Sequence, residues 1–182
     1  MFEGLTDEQL IEEFEENQKR KGKKYVILFL TILSILLMLS YFYLGFPLFG
    51  IIAGQIESQR IQEGQLNLRG VTLQFLNETE QIVFKAYTNN PDVETSLCLE
   101  GQVMQDNYFV TNAYQPEIFS QSYTHVSHAP CSNETIALFH THPYKSCLAS
   151  EQDIQTLRRN QQENPAVIMV IMCEPDRFSV YR

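Results

Sequence analysis

Two histidines one residue apart, followed eleven positions later by an aspartate, are the residues in this sequence best placed to do chemistry. The run Ile136-Ala-Leu-Phe-His140-Thr-His142-Pro143 reads as an apolar strand that ends in the histidine pair. Residues i and i+2 of a strand project to the same face, so His140 and His142 can converge on one ion. Neutral imidazole nitrogens would then sit about 2.0–2.1 Å from a zinc. Pro143 stiffens the exit from the strand. Ser150-Glu-Gln-Asp153 has capping-box spacing ahead of the apolar Ile154 and Leu157, which sets a helix start there. The same capping turn can hold the Asp153 carboxylate at the mouth of the site. A lone His-x-His is more often incidental, and Ser-x-x-Asp alone is a helix cap. Together they make two histidines, one carboxylate and an open fourth position, the pattern of a catalytic rather than a structural zinc.

The elements that must position these groups follow from periodicity. Leu66–Leu76 alternates as a strand, and Asn77-Glu-Thr-Glu80 resembles a cap for a helix carrying Ile82, Val83, Ala86 and Tyr87. Asn89-Asn90-Pro91 ends that helix. Strands are expected near 94–101, 107–113 and 135–140, and a helix over 151–163 that stops before Asn164-Pro165. The Val, Ile and Met content of 166–173 predicts a buried strand, and 177–182 a final edge strand. This order implies an α/β or α+β layered sandwich.

The N-terminal third is of another kind. Residues 1–24 form a charged head, with Thr6 and Gln9 at capping-box spacing, that ends in Lys19, Arg20, Lys21, Lys23 and Lys24. Residues 25–44 carry no charge, and a run of about 20 such residues matches the hydrocarbon core of a bilayer. Residues 25–54 are therefore expected to be a transmembrane anchor with an interfacial exit, 55–65 a polar tether or helical stalk, and 66–182 the working domain. The apolar region is longer than the roughly 7–15 residues of a signal peptide. Because the basic cluster precedes the span, the positive-inside rule puts the N-terminus in the cytoplasm and the working domain outside it. A net charge of −9 and the lack of a basic stripe argue against nucleic acid as a partner. Cys98, Cys131, Cys147 and Cys173 form no CxxC pair; disulfides are one option outside the cytoplasm, in a pairing that sequence does not specify. Cys147, between the two halves of the metal pattern, is expected to pack rather than ligate. His125 and His128 are expected in an exposed polar loop.

The pattern His140-x-His142-Pro143, six residues, Ser150, two residues, Asp153 resembles the signature of the JAMM (MPN+) zinc metalloproteases. Upstream, Glu94 and Gly101 fall at the spacing of that family's glutamate motif, with Leu97 where the family has glycine. The resemblance covers roughly residues 66–182. It implies a JAMM sandwich, like that of the cytidine deaminases, with Zn2+ on His140, His142 and Asp153. By position, Glu94 would be the general base, with Glu100 its rival, and Ser150 would hydrogen-bond the oxyanion. The resemblance also implies hydrolysis of a peptide or isopeptide bond at the C-terminus of a ubiquitin-like or other small protein. A non-catalytic, anchored MPN-type scaffold is the alternative. An amidohydrolase barrel typically needs about 250 residues, roughly twice the length of chain beyond the span.

Overall fold

The computed structural model describes residues 7–45, 48–76 and 78–182; Thr6 and Asn77, expected as cap residues, lie outside them. The chain divides into two compact units, residues 1–47 and 48–182. In the first, helix α1 (Asp7–Gly45) runs unbroken from the charged head through the apolar segment. Its stretch Arg20–Tyr43 is 24 residues long and contains an 18-residue window of mean hydropathy 2.4 that buries no side chain within the protein. By length and composition it can cross a membrane, though a signal sequence has the same character.

The second unit opens with helix α2 (Leu48–Glu57) and is built on an eight-stranded mixed sheet. Its strands are β1 (Gln59–Arg60), β2 (Gln65–Leu68), β3 (Val71–Phe75), β4 (Ser96–Met104), β5 (Asn107–Tyr114), β8 (Thr135–Thr141), β9 (Ile168–Glu174) and β10 (Arg177–Tyr181). The spatial order is β1-β10-β9-β8-β4-β5-β3-β2. A separate hairpin pairs β6 (Ile118–Gln121) with β7 (Val126–His128). Helix α3 (Thr79–Asn89) and helix α4 (Glu151–Glu163) complete the unit.

Alternation along the central strands assigns each helix a face. Ala137 and Phe139 of β8, with Ile168, Val170 and Met172 of β9, pack in the core that includes Val83, Phe84 and Tyr87 of α3. Leu138, Met169 and Ile171 point the other way, to Leu157 of α4. The result is a helix–sheet–helix layering. Every residue of β8 is buried, as expected of a strand hydrogen-bonded on both sides and covered on both faces.

Several boundaries differ from the sequence reading. Leu66–Leu76 is a hairpin rather than one strand, because Arg69 (φ 54°) and Gly70 (φ 80°) make a tight turn in its middle. Helix α3 has no side-chain cap; the Thr79 hydroxyl donates instead to the Leu76 carbonyl at 2.7 Å. The expected tether is folded: Gln59 and Arg60 pair with Phe178 and Arg177, so β10 is not the sheet edge. Gln62 and Gln65 form a bridge that brings the β1 and β2 edges together. Cys98–Cys131 and Cys147–Cys173 are disulfides, with Cα separations of 5.7 and 5.0 Å.

Strand β4 changes register at Glu100/Gly101 against β5 and at Leu99/Glu100 against β8. There the backbone of β5 passes so close that a Cβ on Gly101 would overlap the Phe109 carbonyl oxygen, lie 2.9 Å from its carbon and 3.1 Å from Ile136 Cδ1. Gly101→Ala is expected to destabilise the domain by about 1–3 kcal/mol through overpacking, read as a fall in Tm. Gly50→Ala, in helix α2 where nothing lies within 4 Å, should not lower Tm, since alanine favours a helix over glycine; an equal fall in both variants would contradict the close approach.

Candidate metal centre

The histidine pair lies on the face of β8 that α4 covers. Leu138 faces α4, and the alternation continues through His140 to His142, whose backbone stays extended (φ −110°, ψ 117°) just beyond the strand. The His142 N–H donates to the Met172 carbonyl at 2.8 Å, and Thr141 exchanges bonds with Thr95 at 2.9 Å. Backbone hydrogen bonds to β9 and to the segment before β4 therefore hold both imidazoles. His140 and His142 are 6% and 5% exposed.

Helix α4 brings the third group. The Ser150 hydroxyl accepts from the Asp153 N–H at 3.1 Å, and the Ser150 N–H donates to Asp153 Oδ2 at 2.7 Å, closing the capping box. This fixes the carboxylate so that Oδ1 lies 3.4 Å from His140 Nε2 and Oδ2 3.4 Å from His142 Nε2. The two Nε2 atoms are 3.1 Å apart. With zinc bonds of about 2.0–2.1 Å, tetrahedral ligands are separated by about 3.3 Å, so these spacings suit a small divalent ion. The Nδ1–H of His142 donates to the Ser146 carbonyl at 2.9 Å, which turns Nε2 into the site, where it donates a proton to Asp153 or presents a lone pair to an ion. Lone pairs and carboxylates thus converge in a buried place, an arrangement that a cation relieves. His140, His142 and Asp153 could together hold a metal ion.

Glu94 stands beside them, with Oε1 3.6 Å from His142 Nε2 and only 8% of the residue exposed. It lies in the loop before β4 rather than on the strand, held by Glu94 N–H to Ser122 O at 2.9 Å and by the Gln121 amide donating to Glu94 O at 2.6 Å. Glu100, the rival base, is elsewhere: its carboxylate accepts from Asn112 Nδ2 at 2.8 Å and from Ser132 Oγ at 2.5 Å. Burial pushes the Glu94 carboxyl up to about 7, with His142 opposing and Asp153 adding to the rise. Burial also raises Asp153, but hydrogen bonds from both histidines outweigh it and hold the carboxyl well below the usual range. His140 is lowered by burial. For His142 burial acts downward too, yet Asp153, Glu94 and the Ser146 carbonyl bring it above its ordinary value.

Other expectations change. His125 and His128 are half-buried and line the cleft over the site, because the β6–β7 hairpin folds across it. Their sequence signal was only two histidines in a polar stretch. His125 Nδ1 and Gln152 Nε2 are 3.0 Å apart, which joins the hairpin to α4. Cys147 points away from ligation, into its disulfide with Cys173. The Lys145 ammonium meets Glu174 Oε1 at 3.4 Å.

Fold and site together define an α/β protein with a buried His-His-Asp cluster able to bind a metal. Comparison with protein families and with characterised proteins yields no match. If the cluster binds zinc, a free concentration of 100 times Kd should stabilise the domain by about 2.7 kcal/mol, a Tm rise of several degrees reversed by chelator. Asp153→Asn should abolish the rise; an unchanged rise in that variant would place the metal elsewhere.

Proposed function

We propose that this chain is a membrane-anchored, zinc-dependent peptidase or isopeptidase of the JAMM type. The observation that carries this reading is Glu94: a buried carboxylate 3.6 Å from His142 Nε2, beside a three-residue ligand set. A structural site would be closed by a fourth protein ligand. The layering of α3 and α4 on a mixed sheet also supports a JAMM sandwich.

His140, His142 and Asp153 would hold the zinc, which when bound supplies Lewis acidity and makes a water acidic near neutral pH. Glu94, raised by burial to about 7, would accept the proton of the water that adds to the amide carbonyl. It then gives the proton to the amine as the C–N bond breaks. The oxygen of Ser150 accepts from Asp153 N–H, and its O–H, which faces the Asp153 carboxylate, would turn to donate to the developing oxyanion.

Two observations bear on where this happens. The basic residues Lys19–Lys24 precede the apolar span, and all four cysteines are paired in disulfides. Disulfides persist in oxidising compartments, which favours an extracytoplasmic domain with the N-terminus inside. Secreted or membrane-bound proteins are then more accessible substrates than a cytoplasmic ubiquitin-like modifier. The alternative, an anchored scaffold, is opposed by the complete ligand set and by the Glu94 placement.

Hydrolysis of a panel of peptides and of a ubiquitin-like fusion, by wild type and by Glu94→Gln, tests the proposal. The variant should keep its zinc and lose at least about a hundredfold in kcat. Undiminished turnover would remove Glu94 as the base. Because the base must be ionised, rate should fall as pH drops through its pKa. A cation nearby draws that pKa down, so the acid limb should lie at or below about pH 7. A rate that rises on acidification through that window would contradict the assignment.

A further inference from the structure

The loop between the two halves of the metal pattern is held from several sides. After the turn Pro143–Lys145, the Ser146 carbonyl accepts from His142 Nδ1 at 2.9 Å, so this backbone sets the orientation of a metal-facing imidazole. Cys147 is tied to Cys173 of β9, and its carbonyl accepts the Ser179 hydroxyl. The Ala149 N–H donates to Tyr181 Oη at 2.9 Å. β9 and β10 thus fix the loop on one side.

Helix α2 closes the other side. Gly54 is buried, and a Cβ placed on it would lie 3.0 Å from Cys147 Cβ, 3.2 Å from Cys147 N and 3.4 Å from its Cα. The helix cannot easily back away. Arg177 Nη1 donates to the Gln55 carbonyl at 3.3 Å and to Ser58 Oγ at 3.2 Å, and Glu57 pairs with Arg69 at 2.6 Å. The loop cannot yield either, because the Cys147–Cys173 disulfide holds it from behind. A side chain at position 54 would therefore push the backbone at Cys147. The displaced atoms would be covalent neighbours of the Ser146 carbonyl that orients His142.

We propose that α2 is a positioning element of the metal centre, with Gly54 as its contact residue. The segment after the membrane-competent helix is thus part of the site's support rather than a spacer, and displacement of α2 would be felt at His142. This rests on His142 being a metal ligand. Groups that orient metal-bound histidines typically contribute about 10–100-fold to metal affinity when lost, which sets the size of the expected effect.

The test uses the full chain in detergent micelles with two readouts. One is zinc affinity, by competition with a chelating dye. The other is the His142 Nδ1–H signal in metal-free, histidine-labelled protein, which reports the bond to Ser146 whether or not metal ever binds. Gly54→Leu should weaken zinc about 10–100-fold and shift or broaden that signal, with Gly54→Ala doing the same to a lesser degree. Gly50→Ala, on the same helix with nothing within 4 Å, should change neither. If Gly54→Leu does not fold, Gly54→Ala decides. Unchanged affinity and an unchanged His142 signal in a folded Gly54 variant would overturn the proposal. A wild type that binds no zinc while the Gly54 variants still move the His142 signal would instead retire the metal reading and leave the positioning role standing.

Discussion

Strand β8 is hydrogen-bonded to β4 on one side and to β9 on the other, with Ser96 and Ile171 opposite His140. That pairing determines which face each imidazole takes. A slip of one residue in either register would turn His140 and His142 toward α3 and bury Leu138 on the wrong side. The apolar residues guard against the slip, because Ala137, Phe139, Val170 and Met172 must stay in one core and Leu138, Met169 and Ile171 in the other. Hydrophobic partition therefore sets the polar geometry. The two Nε2 atoms come within 3.1 Å because the strand beneath them cannot shift.

Around that strand each further part has one task. The capping box of α4 serves as a helix start and as the clamp that aims Asp153. The close packing at Gly101 accompanies the change of register of β4 beside β5, while Ser122 and Gln121 hold the segment before β4 that brings Glu94 to the histidines. The two disulfides anchor the connections on either side of β8: Cys131 lies after β7, and Cys147 precedes α4. The covalent links add to the hydrogen bonds that already hold both connections, such as Ala149 N–H to Tyr181 Oη and Ser132 N–H to Tyr114 Oη.

Much of the site was legible because its determinants are local. The i, i+2 histidine spacing on a buried strand and the Ser150/Asp153 cap need no tertiary knowledge, and helix α4 spans 151–163 as its pattern indicates. What escaped depends on contacts distant in sequence or on special backbone angles. The Arg69-Gly70 turn breaks a stretch whose alternation reads as one strand. Strand parity could not separate Glu94 from Glu100, since Glu94 precedes the strand and a register change lies at Glu100. The cysteine pairing and the cleft-lining place of His125 and His128 arise only when the loops fold back.

The central claim is that two imidazoles and one carboxylate hold a zinc in this centre while the nearby sulfurs are occupied with each other. X-ray absorption at the zinc edge, on full-length protein purified without added chelator, tests it most directly. The expected result is about one zinc per chain with only nitrogen and oxygen neighbours near 2.0–2.1 Å, including the outer-shell pattern of imidazole. Sulfur neighbours near 2.3 Å, or no bound zinc when metal is supplied in excess, would contradict it.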